Sequence, residues 1–300
     1  MGDSPYVVVV GGANVDIAGR PALPLVPRDS NPGTVRQSHG GVGRNIAHNL
    51  RLLGQETVLV TAVGEDDYGA ALLRSCEALG IDCSMSFTLP GERSSTYLYV
   101  TDQDGDMQAA VSDMEVTGKL TPERLEPLLP RLNRCAAVVL DANLPQESIA
   151  FLCEALRVPI YADPVSTGKA LRLEGSLQHL FCLKPNLLEA AALTGEQEPE
   201  KAARALLERG VHRVFLSMGA RGMLAAQGET LLCRPCEQAR VLNTTGAGDA
   251  ATAAVVWAGV RGRSLAESLR FALMAGAMTT ECMEANNPAL SRLAQEPEGF

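Results

Sequence analysis

The sequence predicts an α/β fold in which a doubly wound, mainly parallel sheet is flanked by helices and carries a small separate β-sheet as a lid. Two observations predict it. Short β-rich runs alternate with helical runs along most of the chain, and two extended segments interrupt that alternation. Strict alternation places helices on both faces of a parallel sheet. With 300 residues, of which 46% are apolar, the chain is long enough for this fold, and we expect a single domain over residues 1–300.

Each main-sheet strand is predicted at a short apolar run. These runs are Val7–Val10, Thr57–Ala62, Ala136–Leu140, Pro159–Ala162, Phe181–Leu183 and Arg213–Ser217. The helices are predicted at Arg44–Leu53, Tyr68–Leu79, Gln146–Leu156, Leu187–Leu193, Pro199–Arg209, Gly246–Val260 and Leu265–Met283. In the first helix, Ile46, Leu50 and Leu53 recur at helical spacing. Gly54 then provides a C-terminal stop. We expect ligands at the carboxyl ends of the strands.

The lid is predicted from about residues 17–39 and 93–113. Gly33–Ser38 is a short extended run. Ser95–Val100 and Met107–Val111 have the pattern of a hairpin, with Asp104-Gly105 as its turn. Neither segment fits a strand–helix unit, so we expect them to form one small sheet. A flap of this kind excludes competing water from a reaction beneath it.

The charge balance argues against a nucleic-acid partner. The net charge is −9 and the pI is near 5.1, and the sequence contains no cluster of Lys and Arg. No apolar run approaches the length of a membrane-spanning helix, and Val7–Val10 is too short for the core of a signal peptide. We therefore expect a cytoplasmic protein that binds small molecules and neither nucleic acid nor membrane.

The cysteines are dispersed, and they favour structural thiols in a reducing compartment. There are eight of them, and Cys233-Arg-Pro-Cys236 is a single CxxC without a second pair. None of the four histidines is close to it in sequence, so a zinc site would lack ligands. Whether Cys233 and Cys236 have a role of their own stays open.

The segment Asn243-Thr-Thr-Gly-Ala-Gly-Asp249 precedes an alanine-rich apolar run, Ala250–Val260. The small residues 246–248 would leave backbone N–H groups free at the positive end of a helix dipole, where they stabilise a transferring phosphate. Asp249 would lie beside them, where a carboxylate accepts the proton of an attacking hydroxyl. An ordinary helix start explains the same residues equally well.

Two glycine-rich turns precede polar side chains. Gly11-Gly12-Ala-Asn14 follows the first strand but lacks the spacing G-x-G-x-x-G, which argues against a nicotinamide-dependent oxidoreductase. Asn14 and Asp16 stand two residues apart, so both side chains can face one side and hold sugar hydroxyls. Gly40-Gly41-Val-Gly43-Arg44-Asn45 allows close backbone approach to a ligand, with Asn45 as a donor. Turn and capping roles explain both groups as well.

Two further strand ends suggest a nucleotide site. Asn186 and Glu189 stand three apart on one helical face, where they can hold water ligands of Mg²⁺. The same spacing is that of a capping box. Ser217-Met-Gly219 ends the next predicted strand, where its backbone can contact a nucleotide phosphate.

Taken together, these motifs resemble the ribokinase-like (PfkB) family of carbohydrate and nucleoside kinases, from Asn14 to about Pro288. The resemblance implies an α/β core with a β lid, ATP as phosphoryl donor, Mg²⁺, and Asp249 as the general base. It implies an anion hole at Gly246, Ala247 and Gly248. Sugar contacts are implied at Asn14, Asp16, Gly40, Gly41, Asn45 and Asn143. Nucleotide contacts are implied at Asn186, Ser217 and Gly219, with Asn186 and Glu189 serving Mg²⁺ through water.

One position departs from the family pattern. Many relatives have Asp where Asn243 stands, as a ligand for a monovalent cation near Thr245. Asn243 and Thr245 therefore form a candidate site for a monovalent cation, but a neutral amide weakens the local field, so whether the protein depends strongly on K⁺ stays open.

Within the family, the chain most resembles pseudouridine kinases. The residues that carry this resemblance are Asp29–Gly33, Gly40–Asn45, Asp163–Val165, Leu183–Asn186 and Asn286–Pro288. The implied reaction transfers the γ-phosphate of ATP to the ribose 5′-hydroxyl of pseudouridine. Asp29, Ser30, Ser95 and Thr96 have the polarity to hydrogen-bond the base, and a role in a surface loop explains these residues equally well.

Other functions remain open from the sequence. Ribokinase or another nucleoside kinase of the same family fits the motifs, and so does a non-catalytic sugar-binding protein. The lid residues Tyr97, Tyr99 and Val111 would allow a homodimer through the lid, as in many relatives.

Overall fold

The main sheet is built from eight strands, six of them parallel. The computed structural model describes residues 5–104, 106–236 and 239–295. Within these residues the strands are β1 (Val7–Val10), β2 (Asn14–Pro21), β3 (Gly33–Gly40), β4 (Thr57–Val60), β5 (Ala62–Gly64), β6 (Phe87–Leu89), β7 (Thr96–Thr101), β8 (Met107–Asp113), β9 (Ala137–Asp141), β10 (Ile160–Asp163), β11 (Cys182–Leu183), β12 (Arg213–Ser217), β13 (Met223–Gln227) and β14 (Thr230–Arg234). The main sheet has the order β14-β13-β12-β11-β10-β9-β1-β4, and only β13 and β14 are antiparallel to their neighbours. The predicted fold class is confirmed.

Helices cover both faces of this sheet. They are α1 (Val42–Leu52), α2 (Asp67–Ala78), α3 (Pro122–Leu125), α4 (Leu129–Leu132), α5 (Gln146–Ala155), α6 (Thr167–Ala170), α7 (Leu187–Thr194), α8 (Pro199–Glu208), α9 (Ala247–Val260) and α10 (Leu265–Thr280). Short 3₁₀ helices lie at Glu115–Lys119, Glu126–Leu128, Leu171–His179, Gly219–Arg221 and Pro288–Gln295. One apolar core joins α1, α2, α9 and α10 to one face, and a second core joins α5, α7 and α8 to the other. None of the helices in the described part of the chain is long and apolar enough to span a bilayer.

The separate sheet has four strands in the order β3-β2-β7-β8, and we call it the lid sheet. Its central strand β2 begins at Asn14 and was not predicted, because Gly19 and Pro21 weaken the strand pattern within it. Pairing with β3 and β7 on its two sides supplies the missing stability. The predicted turn residue Gly105 lies outside the described residues. Beside it, the Asp102 carboxylate accepts the N–H groups of Asp104 and Asp106.

Other boundaries differ from prediction for identifiable reasons. The predicted strand Thr57–Ala62 is divided at Thr61, because Phe87 N–H binds the Thr61 carbonyl and draws the chain into a small β5–β6 sheet. The last helix ends at Thr280 rather than Met283, and the Thr280 carbonyl accepts N–H groups from Leu242 and Asn243 instead.

The prediction for the cysteines is only partly right. Five of them are buried, Cys282 is half-buried, and Cys233 and Cys236 are exposed at the end of β14. The CxxC thiols therefore do not pack in the interior. No group of three or more His, Cys, Asp or Glu side chains with metal-binding geometry occurs among the described residues.

Candidate active site

Polar side chains meet where the parallel strands end. Because β9 to β12 run in the same direction, their carboxyl ends lie along one edge, which brings Asp141, Asp163, Lys184 and Ser217 to that edge. Three of these four residues are buried, and Ser217 is half-buried. Buried charges persist only when they are paired or hydrogen-bonded, so this edge is a candidate site.

The N-terminus of α9 faces this edge. Gly246 is its N-cap with φ +82°, a left-handed conformation that glycine adopts without strain. A Cβ at Gly246 would lie 2.1 Å from the carbonyl oxygen of Ala285, so no larger residue fits. A helix leaves its first N–H groups without intrahelical acceptors. Gly248 and Asp249 therefore present N–H groups at the positive end of the helix.

The Asp249 carboxylate is half-buried beside these groups. Its Oδ2 accepts a hydrogen bond of 2.9 Å from the side-chain amide of Asn45, at the start of α1. Loss of hydration raises the pKa of Asp249 to about 7, and the nearby Asp163 carboxylate adds to this rise. The Asn45 hydrogen bond and the Lys184 ammonium oppose it. The carboxyl group can therefore take up or release a proton near neutral pH.

Asp163 and Lys184 form a buried ion pair next to Asp249. The Lys184 Nζ lies 3.8 Å from Oδ2 of Asp163, which also accepts the Thr252 hydroxyl at 2.7 Å. The other carboxylate oxygen accepts the backbone N–H of Val165 at 2.9 Å. The motifs quoted above included both charged residues, but no role was predicted for either. Their signal was a charged residue at the end of an otherwise apolar strand.

Asp141 anchors the turn after β1. Its carboxylate accepts the backbone N–H of Gly12 at 2.8 Å and that of Asn143 at 2.9 Å. A Cβ at Gly11 would lie 2.4 Å from Oδ2 of Asp141, which accounts for glycine there. The side chain of Asn143 is thereby held beside Gly12, and its oxygen accepts a hydrogen bond from Lys169.

Asn14 and Asp16 lie on the same side of β2. The Asn14 amide donates to Oδ1 of Asp16 at 2.7 Å, and burial raises the pKa of Asp16. A Cβ at Gly40 would lie 2.1 Å from Oδ2 of Asp16, so this carboxylate occupies the space beside glycine in β3. Gly41 follows with φ +98° and is the N-cap of α1, which carries Asn45.

Comparison with known proteins identifies this arrangement. The chain matches the pfkB family of carbohydrate kinases over residues 4–292. The protein belongs to the pfkB family. It is therefore an ATP-dependent carbohydrate or nucleoside kinase, as the sequence predicted. It is 38% identical to the pseudouridine kinase of Escherichia coli over 299 residues, which is 97% of this chain and 95% of that one.

Solved structures of other kinases have the same fold. The structure of Arabidopsis thaliana ribokinase complexed with ribose and ATP superposes with a TM-score of 0.83, at 25% identity over 98% of this chain and 99% of that one. A carbohydrate kinase from Agrobacterium tumefaciens gives a TM-score of 0.86, at 28% identity over 97% of this chain and 96% of that one.

The predicted nucleotide residues of this kinase lie together at the ends of β11 and β12. Asn186 and Glu189 form a complete capping box, each side chain accepting a hydrogen bond from the backbone N–H of the other residue. Ser217 forms an isolated parallel bridge with Asn186, and Gly219 follows with φ +60°. The capping explanation is thus correct, and the capping box uses one of the two Glu189 oxygens.

At the predicted cation position of the kinase, the Asn243 side chain is already hydrogen-bonded to the protein. The Asn243 amide nitrogen donates to the carbonyl of Met283 at 2.9 Å, and its oxygen accepts the N–H of Thr245 at 3.0 Å. The side chain therefore joins two loops directly. As oriented, it presents an N–H group, which cannot ligate a cation, toward Met283.

The residues predicted to read a base are divided between two places. Asp29 and Ser30 lie in the exposed loop between β2 and β3, where the Asp29 side chain accepts the N–H of Ser30. Ser95 is buried, with its hydroxyl 3.4 Å from that of Thr117. Its side chain therefore faces the interior, and a base contact through Ser95 is wrong for this geometry. Thr96 is half-buried at the start of β7.

Proposed function

We propose that this kinase transfers the γ-phosphate of ATP to the ribose 5′-hydroxyl of pseudouridine, with Asp249 as the general base. The main support is the position of the Asp249 carboxylate, which lies beside the N-terminal N–H groups of α9 and is held by Asn45. The substrate assignment is supported by the 38% identity to the Escherichia coli pseudouridine kinase over almost the full length of both chains.

The proton and the phosphoryl group move in a balanced exchange. The substrate O5′ forms a bond to the γ-phosphorus while the bond from that phosphorus to the bridging oxygen breaks, and ADP leaves. The hydroxyl proton passes to Asp249, whose pKa of about 7 suits a base at neutral pH. The Asn45 amide has a second N–H, which can hold the hydroxyl next to Asp249. The anion hole would consist of the N–H groups of Gly246, Ala247 and Gly248, of which that of Ala247 lies 3.4 Å from the Thr244 carbonyl and would have to turn toward the phosphate.

Lys184 supports the phosphates in this proposal. Its ammonium group is buried and shares the Asp163 carboxylate with Thr252, so its position is fixed. A fixed positive charge at this edge offsets the negative charge of the transferring group.

Mg²⁺ fits the donor set only through water. The second oxygen of Glu189 and the side chain of Asn186 are oxygen donors of the kind that Mg²⁺ accepts, and one or two carboxylates suffice when phosphates and waters complete the shell. The bound ion would neutralise phosphate charge. Ser217 and Gly219 would contact the nucleotide by their backbones.

The ribose would lie between the lid sheet and α1. Asn14 and Asp16 offer an amide and a carboxylate for its hydroxyls, and Asn143 offers a further amide near Gly12. Gly40 and Gly41 would let the backbone approach the sugar. Asp29, Ser30 and Thr96 would contact the base from the lid. These roles require the lid sheet to close over the bound substrate.

The lid sheet would also form a homodimer. Strand alternation separates the residues named from sequence: Tyr97 and Tyr99 share a face with Asp16, whereas Val111 and Leu98 lie on the opposite face with Val35. These last three apolar side chains are exposed. Their exposure on one face supports dimerisation through that face. Val111→Glu would then shift the mass measured by light scattering to that of a monomer, whereas a wild-type monomer would contradict the dimer.

The test is an ADP-release assay with ATP and Mg²⁺, and with pseudouridine, uridine, adenosine and ribose as acceptors. We expect a strong preference for pseudouridine. Preference for ribose or another nucleoside would change the proposed substrate but leave the proposed site residues unchanged.

A second test concerns the general base. Asp249→Asn should lower kcat by roughly 10²- to 10⁴-fold with little change in pseudouridine affinity. Normal turnover by this variant would reject Asp249 as base. Binding without turnover by the wild-type protein on any acceptor would favour a non-catalytic sugar-binding protein.

A further inference from the structure

Asn286 is buried where the chain returns to α1 after α10. All parts of its side-chain amide are used: the nitrogen donates to the backbone carbonyl of Asn45 at 3.1 Å and to Oδ1 of Asn49 at 3.0 Å. Its oxygen accepts a hydrogen bond of 3.2 Å from Arg44. The orientation of the amide is thus determined, because a rotated amide would place donors against the guanidinium.

Arg44 connects this amide to two other elements. It is buried, and its Nη1 donates to the backbone carbonyl of His39 in β3 at 2.9 Å. The same nitrogen lies 3.4 Å from the side-chain oxygen of Asn45. A guanidinium only donates hydrogen bonds, so its place beside this oxygen turns the nitrogen of the Asn45 amide toward Asp249. The Asn45 amide therefore lies between a cation and a carboxylate.

The segment that carries Asn286 also contacts the phosphate side of the site. Ala285 packs against Gly246, the N-cap of α9, so closely that a Cβ there would overlap the Ala285 carbonyl. Ala285 thus contacts α9, while the next residue, Asn286, binds α1. This short segment sets the distance between the two helices that contribute Asn45 and Asp249.

We propose that Arg44 and Asn286 are positioning residues that hold the Asn45 amide on Asp249 and keep α1 and α9 in register for phosphoryl transfer. The inference rests on the proposed role of Asp249 and assigns no contact between either residue and substrate. Without this pair, the Asn45 side chain can rotate, and the hydrogen bond to Asp249 is lost for part of the time.

The groups around Asp249 predict the direction in which its pKa moves when the positioning is lost. Asp163, Lys184 and Asp141 face Asp249 from the carboxyl ends of β10, β11 and β9, and none of them is changed when Asn286 is replaced. The Asn45 hydrogen bond lowers the pKa of Asp249, so its loss moves that pKa upward. Other titratable groups lie around Arg44. Burial lowers the pKa of His39 and lowers that of His48 to about 4, which moves both away from the pKa of Asp249. The pKa of Cys76 in α2 falls to about 7 through a hydrogen bond from Cys83 and the nearby Arg44, so Cys76 titrates in the same range as Asp249.

Asn286→Ala tests the proposal, with Asn287→Ala as the matched control. Asn287 anchors the same segment by binding the carbonyl of Met278 and the N–H of Ala289. For Asn286→Ala we expect kcat to fall by roughly 10- to 100-fold, because small misplacements of reacting groups cost about that much. The acid limb of its kcat/KM profile should move to higher pH, while Asn287→Ala and Cys76→Ala should leave the limb in place.

Arg44→Lys provides a second variant if Asn286→Ala folds poorly. Lysine keeps the charge but cannot reach the three acceptors with one planar group, so we expect the same shift of the acid limb. If both variants lower thermal stability without moving the limb, the positioning role is wrong while Asp249 remains the base. If Asp249→Asn retains turnover, the proposed base fails, and this inference fails with it. A limb that moves with Cys76→Ala would assign the titration to the thiol and also overturn the inference.

Discussion

The Asn45 amide donates to the Asp249 carboxylate at 2.9 Å, across 204 residues of sequence. Asn45 lies in the first turn of α1, the helix that follows the lid strand β3, and Asp249 lies in the first turn of α9. The hydrogen bond therefore joins the proposed sugar side of the kinase to its proposed phosphate side. Any change in the spacing of α1 and α9 alters the environment of the proposed base.

The first prediction concerns pH. The pKa of Asp249 is raised to about 7, and a general base works only when it is deprotonated. We expect kcat/KM to be constant at alkaline pH and to fall about tenfold per unit once the pH drops below that pKa. A stopped assay across this range, in buffers of constant ionic strength, measures it. Full activity two units lower would contradict the proposed base.

The second prediction concerns Gly246. Gly246→Ala and Gly195→Ala replace glycines with nearly the same left-handed φ, +82° and +81°. In each variant, backbone strain should lower the free energy of unfolding by about 1–2 kcal/mol. Only Gly246 has a carbonyl oxygen 2.1 Å from the new methyl group, whereas Gly195 has nothing within 4 Å. Thermal unfolding and kcat should therefore both suffer more at Gly246, and equal effects would contradict a close contact with Ala285.

The third prediction separates stability from activity at Lys184. Lys184→Met leaves the buried Asp163 carboxylate without its ion-pair partner and should destabilise the fold by about 3–5 kcal/mol. Adding Asp163→Asn should restore most of that stability, because the uncompensated charge is removed. We expect turnover to stay low in the double variant. Recovered turnover, measured by ADP release, would mean that Lys184 serves the fold alone.

The fourth prediction concerns monovalent cations. Because the Asn243 amide already joins its loop to the Met283 carbonyl, we expect equal turnover in potassium and in tetramethylammonium salts. In Asn243→Asp, a carboxylate oxygen would face that carbonyl, and a cation between the two oxygens would relieve the repulsion. This variant should gain activity with added K⁺. Activation of the wild-type kinase by K⁺ would show that the amide does not replace the ion.

The sequence predicted the parallel part of the fold well, since apolar runs such as Val7–Val10 and Arg213–Ser217 match observed strands. It failed for β13 and β14. Met223–Gln227 is rich in residues that also favour helices, and its strand conformation depends on antiparallel pairing with β12. Such pairing is a tertiary effect that local patterns do not encode.

The candidate site was predictable where a motif is local. Residues 246–249 lie at the start of α9, and Asn186 and Glu189 lie at the start of α7. Within each group the residues are close in sequence, so their spacing was informative. The ion pair of Asp163 and Lys184 joins different strands, and its partners are chosen by sheet order. The same reason hid Asn286, whose contacts with α1 span more than two hundred residues.

The dependence of α1 on Asn286 has a consequence for biosynthesis. Strand β1 and α1 leave the ribosome early, but Asn286, which binds the backbone carbonyl of Asn45, is made 241 residues later. The nascent chain can therefore form most of its main sheet before the segment around Asn286 is present to fix α1 at the proposed acceptor pocket. We expect substrate to protect stalled nascent chains from protease only after the segment around Asn286 has emerged from the exit tunnel.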